Sequence, residues 1–169
     1  MNGRELAAVD VYVSAGSNID APLHLREACT RLAARYPGLK VSPVYRSAPV
    51  GFSGDDFLNL VVGFRTADSA AQILGFLDSL HEQAGRQRDA PRLSPHTLDL
   101  DLLLYGDCIS EHRPQLPHPD ILHCAYVLAP LADLAPEARH PVDGRRYAAL
   151  WAAFDPRSQP VRREAVNPG

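Results

Sequence analysis

Hydrophobic positions along the first two-thirds of the chain follow two spacings, and these predict the order of its strands and helices. Apolar residues that alternate with polar ones, or that form a short continuous run, predict a strand, whereas apolar residues three or four positions apart predict a helix. The predicted elements are a strand over 9–13, a helix over 20–36, strands over 39–46 and 57–66, a helix over 69–84 and a strand over 98–105.

Several residues at the ends of these segments carry signals for where an element begins, ends or becomes irregular. Asp20 is predicted to cap the first helix at its N-terminus. Ser69 and Gln72 have the spacing of a capping box, and Gly85 is predicted to end the second helix. Pro43 is expected to make the second strand irregular, because proline cannot donate a ladder hydrogen bond.

The element order β-α-β-β-α-β predicts an α+β fold of the ferredoxin-like type, in which two helices cover one face of an antiparallel sheet. The segment from residue 106 onward is rich in proline, with helical patterns over 125–135 and 147–154. We interpret it as a C-terminal extension that packs on the sheet. A single domain is therefore predicted over residues 1–154, followed by a flexible tail over 155–169.

Two acidic residues, Asp99 and Asp101, lie in the last predicted strand. Residues two apart on a strand share a face, so their Cα atoms are roughly 6.5–7 Å apart. On the opposite face of this strand, the leucine side chains are predicted to point into the core: Leu98, Leu100, Leu102 and Leu104. Two carboxylates so close favour a bound cation such as Mg²⁺, although two hydrated acids on a solvent-facing strand have the same spacing.

A basic loop leads directly into this acidic strand. It contains Arg86, Arg88, Arg92 and His96. Arginines beside paired carboxylates suit phosphoryl transfer, because metal ions bridge phosphate oxygens and guanidinium groups take up developing charge. A solvated loop with surface ion pairs is the alternative. The sequence contains neither a Walker loop nor G-x-G-x-x-G, which argues against a P-loop or Rossmann nucleotide site.

Composition narrows the classes of partner and the compartment. The 169 residues have a formal net charge of −3, which argues against a dedicated duplex nucleic-acid binder. The three cysteines, which are widely spaced, indicate a reducing cytoplasm and not a disulfide framework. No run approaches the length of a membrane span, and the first ten residues lack the apolar core of a signal peptide. We therefore expect a cytoplasmic protein without a membrane partner.

The chain resembles the 6-hydroxymethyl-7,8-dihydropterin pyrophosphokinase family between residues 11 and 136. The resemblance depends on the order and spacing of many short segments, none of which is specific alone. These segments are Gly16-Ser17-Asn18, Tyr45 to Gly51, Phe57-Leu58-Asn59, Gly85 to Arg88, Thr97 to Asp101, Tyr105-Gly106, Leu116 to Pro119, Tyr126-Val127-Leu128, Pro130-Leu131 and Leu134-Ala135-Pro136.

The resemblance implies transfer of the terminal diphosphate of ATP to the hydroxymethyl oxygen of the pterin, with release of AMP. Two Mg²⁺ ions would be held by Asp99 and Asp101. Arg86 and Arg88 lie in the loop that would close over the triphosphate and assist catalysis, and His118 would contact phosphate. Both substrates are small molecules, and a monomer is expected.

The resemblance also implies how the pterin is held. Its ring would lie between the aromatic side chains of Phe57 and Tyr126, since a flat heterocycle is bound well by two aromatic faces. Asn59 would hydrogen-bond the ring through its amide, helped by backbone groups of Ser47, Ala48 and Val50. Without the resemblance, the two aromatic residues are typical of a core, and Asn59 of a hydrogen-bonded amide within a strand.

Four positions depart from the family pattern. His96, which we count among the catalytic residues, stands where an arginine is usual, and Leu93 where many members have tryptophan. His81 replaces a usual glutamate, and Cys124 stands where arginine is frequent. A histidine is only about one-quarter protonated at pH 7, whereas an arginine is always charged. We therefore expect an active but slow enzyme, in which His96→Arg raises turnover.

Two alternatives remain open at this point. The first is a catalytically weakened relative that still binds a pterin or a nucleotide. The second is a zinc-binding regulatory module of ferredoxin-like fold, whose ligands would come from four residues without the usual zinc spacing: Cys108, His118, His123 and Cys124.

Overall fold

The computed structural model describes residues 7–49, 54–85 and 98–165, and it confirms the predicted order of elements in the first two-thirds of the chain. The predicted second strand is interrupted at Ser42 and Pro43 and forms two short strands. The elements are β1 (Val9–Ser17), α1 (Ala21–Arg35), β2 (Lys40–Val41), β3 (Val44–Ser47), β4 (Phe57–Thr66), α2 (Ala70–Gln83), β5 (Asp99–Tyr105), α3 (Asp120–His123), α4 (Ala125–Leu134), α5 (Tyr147–Ala153) and β6 (Val161–Glu164).

The six described strands form one antiparallel sheet in the order β5-β1-β4-β3-β6, with β2 paired to β4. The long strands β1 and β4 are paired from Val9 opposite Thr66 to Ser17 opposite Leu58. The predicted α+β, ferredoxin-like architecture is therefore confirmed. None of the helices in the described part of the chain has the length and apolarity needed to cross a bilayer.

Helices α1 and α2 bury one face of this sheet, which we call the closed face. Alternate residues of β1, β4 and β5 meet the helices in one apolar cluster, as the period of two predicts. The helices contribute side chains at the helical spacing read from the sequence: Leu25, Cys29, Leu32, Ile73, Leu77 and Leu80.

The predicted orientation of one residue, Leu104, is wrong. Tyr12 pairs with Leu104, but the next residue, Val13, pairs with Leu102, so Leu103 is an additional residue in β5. Such a bulge reverses the alternation of side chains beyond it. Leu104 consequently joins Leu103 in the cluster on the opposite face, while Leu98, Leu100 and Leu102 lie in the closed-face core as predicted.

The opposite face, which we call the open face, is covered at one end by α3, α4 and α5. Val61 and Leu103 of the sheet pack there against Leu128, Leu131 and other apolar residues of this helical segment. The C-terminal extension therefore packs on the sheet, as the sequence predicts. The predicted helices over 125–135 and 147–154 are observed as α4 and α5, whereas α3 was not predicted.

The helix ends agree with the sequence at α2 and disagree at α1. Ser69 accepts a hydrogen bond from the backbone N–H of Gln72, and the Gln72 side chain accepts one from the backbone of Ser69, which confirms the capping box. Gly85 follows α2 with a φ of +82°. Asp20, in contrast, has a φ of +45° and makes no side-chain cap, so its predicted role is wrong.

Strand β6 was not predicted, because it lies among the charges and prolines of the expected tail. It pairs with β3 from Val161 opposite Ser47 to Glu164 opposite Val44. Glu164 also accepts a hydrogen bond from Arg46 Nε at 2.6 Å. The expectation of a loose segment therefore does not hold for residues 161–164, whereas the domain boundary near residue 154 stays a prediction.

Candidate active site

A row of residues crosses four strands near one end of the open face. We call this its exposed end because Gly16, Phe57 and Asp99 are only partly buried there, although Tyr45 and Asn59 are buried. Tyr45 of β3 is opposite Asn59 of β4, Asn59 is opposite Gly16 of β1, and Gly16 is opposite Asp99 of β5. Residues paired in this way have side chains on the same face. With about 4.8 Å between neighbouring strands, Asn59 and Asp99 are roughly 10 Å apart. The row thus brings a carboxamide and a carboxylate to one side of the sheet.

Asn59 is held by its neighbours on β3. It is 5% exposed, and its Nδ2 donates to Ser47 Oγ at 2.8 Å and to the backbone oxygen of Tyr45 at 3.2 Å. Both amide hydrogens are therefore engaged within the protein. The group that Asn59 can offer to a ligand is Oδ1, a hydrogen-bond acceptor.

Gly16 leaves room beside this acceptor. It belongs to one of the segments that carry the family resemblance, but no role in the site was assigned to it from the sequence. A Cβ placed on Gly16 would lie 3.1 Å from Asn59 Oδ1 and 4.0 Å from Phe57 Cδ1. Gly16 adds no side chain between Asn59 and Asp99. Its position in the row depends on pairing with both β4 and β5, which no local spacing reveals.

Phe57 precedes Asn59 by two residues on β4, so the two side chains share the open face. It pairs with Ser47 and is only partly buried, which leaves part of its ring accessible. Ala48, the next residue along the chain, is exposed just beyond the end of β3. Phe57, Asn59, Ser47 and Ala48 therefore lie together at one corner of the sheet.

The two aspartates occupy neighbouring open-face positions of β5. Asp99 is opposite Gly16 and Asp101 is opposite Ser14, and both carboxylates are partly exposed. No group of three potential metal-ligating side chains is assembled among residues 7–49, 54–85 and 98–165. Two carboxylates nevertheless fit Mg²⁺, which binds through one or two carboxylates and takes its other oxygen ligands from phosphates or water.

Tyr126 lies on α4 at the Asp101 side of the row. Burial raises the pKa of its phenol, and a hydrogen bond with Cys124 and the negative charges of Asp120 and Asp101 raise it further. The hydroxyl therefore remains protonated at neutral pH. Tyr126 also packs against the apolar cluster that contains Leu103 and Leu104, so the helical segment and β5 approach each other here.

His118 lies next to β5 because its backbone N–H donates to the oxygen of Leu103 at 2.9 Å. Its Nδ1 accepts from the backbone N–H of Asp120 at 3.1 Å, which places the proton of the neutral ring on Nε2. The side chain is 23% exposed. His118 therefore has a defined donor, Nε2–H.

Four of the sequence-predicted site residues lie outside the described part of the chain: Val50, Arg86, Arg88 and His96. The other predicted residues lie at open-face positions of the sheet (Ser47, Phe57, Asn59, Asp99 and Asp101), just beyond β3 (Ala48), or on the segment beside β5 that covers this face (His118 and Tyr126). The alternative zinc site is not supported, because Cys108, His118, His123 and Cys124 are all described and form no group that could hold a metal.

Comparison with known proteins gives concordant results. Residues 12–136 match the family model described as 7,8-dihydro-6-hydroxymethylpterin-pyrophosphokinase (HPPK). A protein of Pseudomonas aeruginosa named 2-amino-4-hydroxy-6-hydroxymethyldihydropteridine pyrophosphokinase is 39% identical over 148 residues, which cover 85% of this chain and 90% of that protein. A Bacillus subtilis protein of the same name is 35% identical over 128 residues, which cover 73% of this chain and 76% of the relative.

The fold is also similar to a solved structure. A crystal structure of Plasmodium falciparum HPPK-DHPS with pteroate superposes with a TM-score of 0.71 at 13% sequence identity. The match covers 89% of this chain but only 43% of that longer chain. At this identity the similarity concerns the fold alone.

Proposed function

The chain belongs to the 7,8-dihydro-6-hydroxymethylpterin-pyrophosphokinase family, and from this we propose that the exposed end of its open face binds the pterin and the triphosphate. The protein is an ATP-dependent diphosphokinase of folate biosynthesis. It transfers diphosphate from ATP to the hydroxymethyl group of 6-hydroxymethyl-7,8-dihydropterin and releases AMP. The alternative of a catalytically weakened relative is not favoured, given relatives of the same name at 39% and 35% identity. ATP and the pterin are small-molecule substrates, and Mg²⁺ is the cofactor.

The pterin subsite is proposed at Asn59. Both Nδ2 hydrogens are engaged by Ser47 and Tyr45, and no hydrogen bond from residues 7–49, 54–85 or 98–165 reaches Oδ1, which accepts from an N–H group on the edge of the pterin. Phe57 and Tyr126 contact the two ring faces. Backbone groups of Ser47, Ala48 and Val50 complete the subsite, as the family resemblance implies.

The phosphate subsite is proposed at the opposite end of the row. Asp99 and Asp101 would hold two Mg²⁺ ions, which would neutralise the charge of the triphosphate. His118 donates Nε2–H to a phosphate oxygen, an assignment supported by the engagement of its Nδ1 with Asp120. Arg86, Arg88 and His96 are proposed, from the resemblance, to take up charge during transfer.

The chemistry follows from bringing these two subsites together. The hydroxymethyl oxygen of the pterin forms a bond to the β-phosphorus of ATP while the bond between the α- and β-phosphates breaks, with AMP as the leaving group. The pterin hydroxyl loses its proton in this step, and no side chain is assigned as its base. Positioning and charge neutralisation account for most of the catalysis of such a transfer.

The observation that carries this proposal is the register that aligns Asn59, Gly16 and Asp99 on one face of the sheet. It is tested by AMP release from ATP, Mg²⁺ and the hydroxymethyl pterin. Asp99→Ala and Asp101→Ala should each lower kcat by about 10²–10³-fold, because each removes a preorganised group that stabilises charge. Their unfolding transitions should stay cooperative.

Asp10→Asn is the matched control, since Asp10 is an exposed carboxylate at the other end of β1 that pairs with Arg65. It should retain the activity of the parent protein. Full activity of Asp99→Ala or Asp101→Ala would show that the site lies elsewhere.

Three finer points are also proposed. Two ions per chain predict two equivalents of Mn²⁺ bound in the presence of a non-hydrolysable ATP analogue, and one equivalent would contradict this. A monomer predicts the mass of a single chain in light scattering. A cytoplasmic location is supported by three free cysteines in the described residues, Cys29, Cys108 and Cys124, and fractionation of cells expressing the chain would test it.

A further inference from the structure

Strand β5 lies at one edge of the described sheet, with β1 as its only strand neighbour there. An edge strand has backbone groups that point away from the sheet, and those that are buried need a partner outside it. The buried N–H of Leu100 points away from β1 and donates to Nε2 of His81 at 2.8 Å. A side chain of α2 thus takes the place of a missing strand at this position.

The position of this hydrogen bond in β5 is notable because Leu100 lies between Asp99 and Asp101. Its side chain is 4% exposed in the closed-face core, while the two carboxylates lie on the open face. On its other side, this residue of β5 is paired with Ala15 of β1. The backbone between the two aspartates therefore has β1 on one side and His81 on the other, and the buried Leu100 side chain anchors it in the core.

The imidazole is well placed to act as a fixed acceptor. His81 is 8% exposed and lies in the last turn of α2, so packing limits its rotation. Because Nε2 accepts, the ring proton lies on Nδ1, the nitrogen 3.8 Å from Asp78 Oδ1. The bond therefore supplies an acceptor without adding a negative charge next to the two aspartates.

We propose that His81 is a positioning residue for the phosphate subsite: by holding the Leu100 amide, it keeps Asp99 and Asp101 at the separation that metal and triphosphate require. This inference rests on the proposed role of the two aspartates. It goes beyond that role because His81 acts through the backbone of Leu100, from α2 on the closed-face side of β5, whereas the two carboxylates lie on the open face. His81 is also one of the positions at which this chain departs from the family pattern, which usually has glutamate there.

The test compares substitutions that keep or remove the acceptor. His81→Leu fills the space without an acceptor, whereas the Oε1 of His81→Gln is an acceptor that can reach the amide. In His81→Leu, the KM for MgATP and the Mg²⁺ concentration needed for half-maximal rate should each rise about tenfold, the equivalent of one hydrogen bond. The KM for the pterin should stay within twofold, and His81→Gln should restore the parent values.

A second readout needs neither metal nor substrate. Amide hydrogen exchange of the metal-free protein should show Leu100 exchanging at least tenfold faster in His81→Leu than in the parent or in His81→Gln. The amide of Val13, in the middle of β1, should keep its protection. Gln83→Leu, an exposed change in the same turn of α2, should alter none of these quantities. If His81→Leu does not fold, His81→Asn, whose shorter side chain cannot reach the amide, takes its place.

Parent-like KM for MgATP and parent-like exchange at Leu100 in His81→Leu would overturn the inference. An equal rise in both KM values, or failure of His81→Gln to restore them, would overturn it as well, since either shows a general structural effect. The proposed function fails by a different result, namely full activity of Asp99→Ala or Asp101→Ala. The two failures are therefore distinguishable.

Discussion

The closed face of the sheet is mainly apolar along β1, β4 and β5, whereas the open face changes from apolar to polar along the same strands. On β4, for example, Leu58, Leu60 and Val62 all enter the core beneath α1 and α2. On the other side of that strand, the buried Val61 lies under α4, while Phe57 and Asn59 border the row that leads to Asp99.

This difference shows how one sheet serves two purposes. The closed face supplies the close packing that fixes the strands relative to one another. The open face can then carry partly hydrated carboxylates and a carboxamide at defined spacing, because their backbone does not depend on them for stability. A site built on strands in this way is held more precisely than one built on loops alone.

The largest effect is expected from damage to the closed face. Leu25 of α1 is fully buried, and Leu25→Ala should lower the free energy of unfolding by about 2–5 kcal/mol, because it removes buried apolar surface and leaves a cavity. Denaturant unfolding measures this loss. The KM values of the folded fraction should not change, since Leu25 is on the face opposite the site.

Leu23→Ala on the same helix is the control, because Leu23 is 52% exposed. It should change the free energy of unfolding by less than about 0.5 kcal/mol. If both variants lose the same stability, the closed face does not have the role that we assign to it.

An intermediate effect is expected from filling the gap in the open face. Gly16→Ala places a methyl group about 3.1 Å from Asn59 Oδ1, the atom proposed to accept from the pterin. We expect the KM for the pterin to rise about tenfold, corresponding to about 1.4 kcal/mol, with a smaller change in the KM for MgATP. Steady-state kinetics with each substrate varied in turn measures both.

Gly75→Ala is the matched control for this change. No atom lies within 4 Å of a Cβ at Gly75, which is exposed on α2. The substitution should leave both KM values unchanged and raise stability by about 0.5–1 kcal/mol, since alanine favours helix more than glycine does. An unchanged pterin KM in Gly16→Ala would argue against a pterin subsite beside Gly16.

The smallest effect is expected at the covered end of the open face and depends on pH. His140 is buried against Tyr147, and its Nδ1 accepts from the backbone N–H groups of Val142 and Asp143. Burial lowers the pKa of His140 below its usual value of 6.5, although the charge of Asp143 opposes this. The unfolded chain therefore binds a proton more readily than the folded one below pH 6.5.

Stability should consequently decrease as the pH falls from about 6.5 through the lower pKa of the folded state. Urea unfolding at pH 7.5 and pH 5.5 measures the decrease. His140→Gln keeps an acceptor but does not titrate, so its stability should decrease less. The same decrease in both proteins would assign the pH dependence to other groups.

Much of this molecule could be predicted from local patterns. The bounds of β4, the capping box at Ser69 and the helices of the extension all follow from residue spacing, which depends on the geometry of a single element. The two aspartates were found in the same way, since an alternating strand puts them on one face. Their carboxylates suggested a bound Mg²⁺ ion, and the family resemblance suggested ATP as the substrate that this ion binds.

What the tertiary structure decided depends on contacts between distant segments. The bulge at Leu103 arises in the pairing of β5 with β1, strand β6 forms because β3 offers it an edge, and Gly16 reaches the site through its register with two strands. Side-chain periodicity specifies which way a residue points within its own strand, but not which residue of another strand lies beside it. That register is selected by the packing of the whole sheet, and it determines which side chains of the site meet.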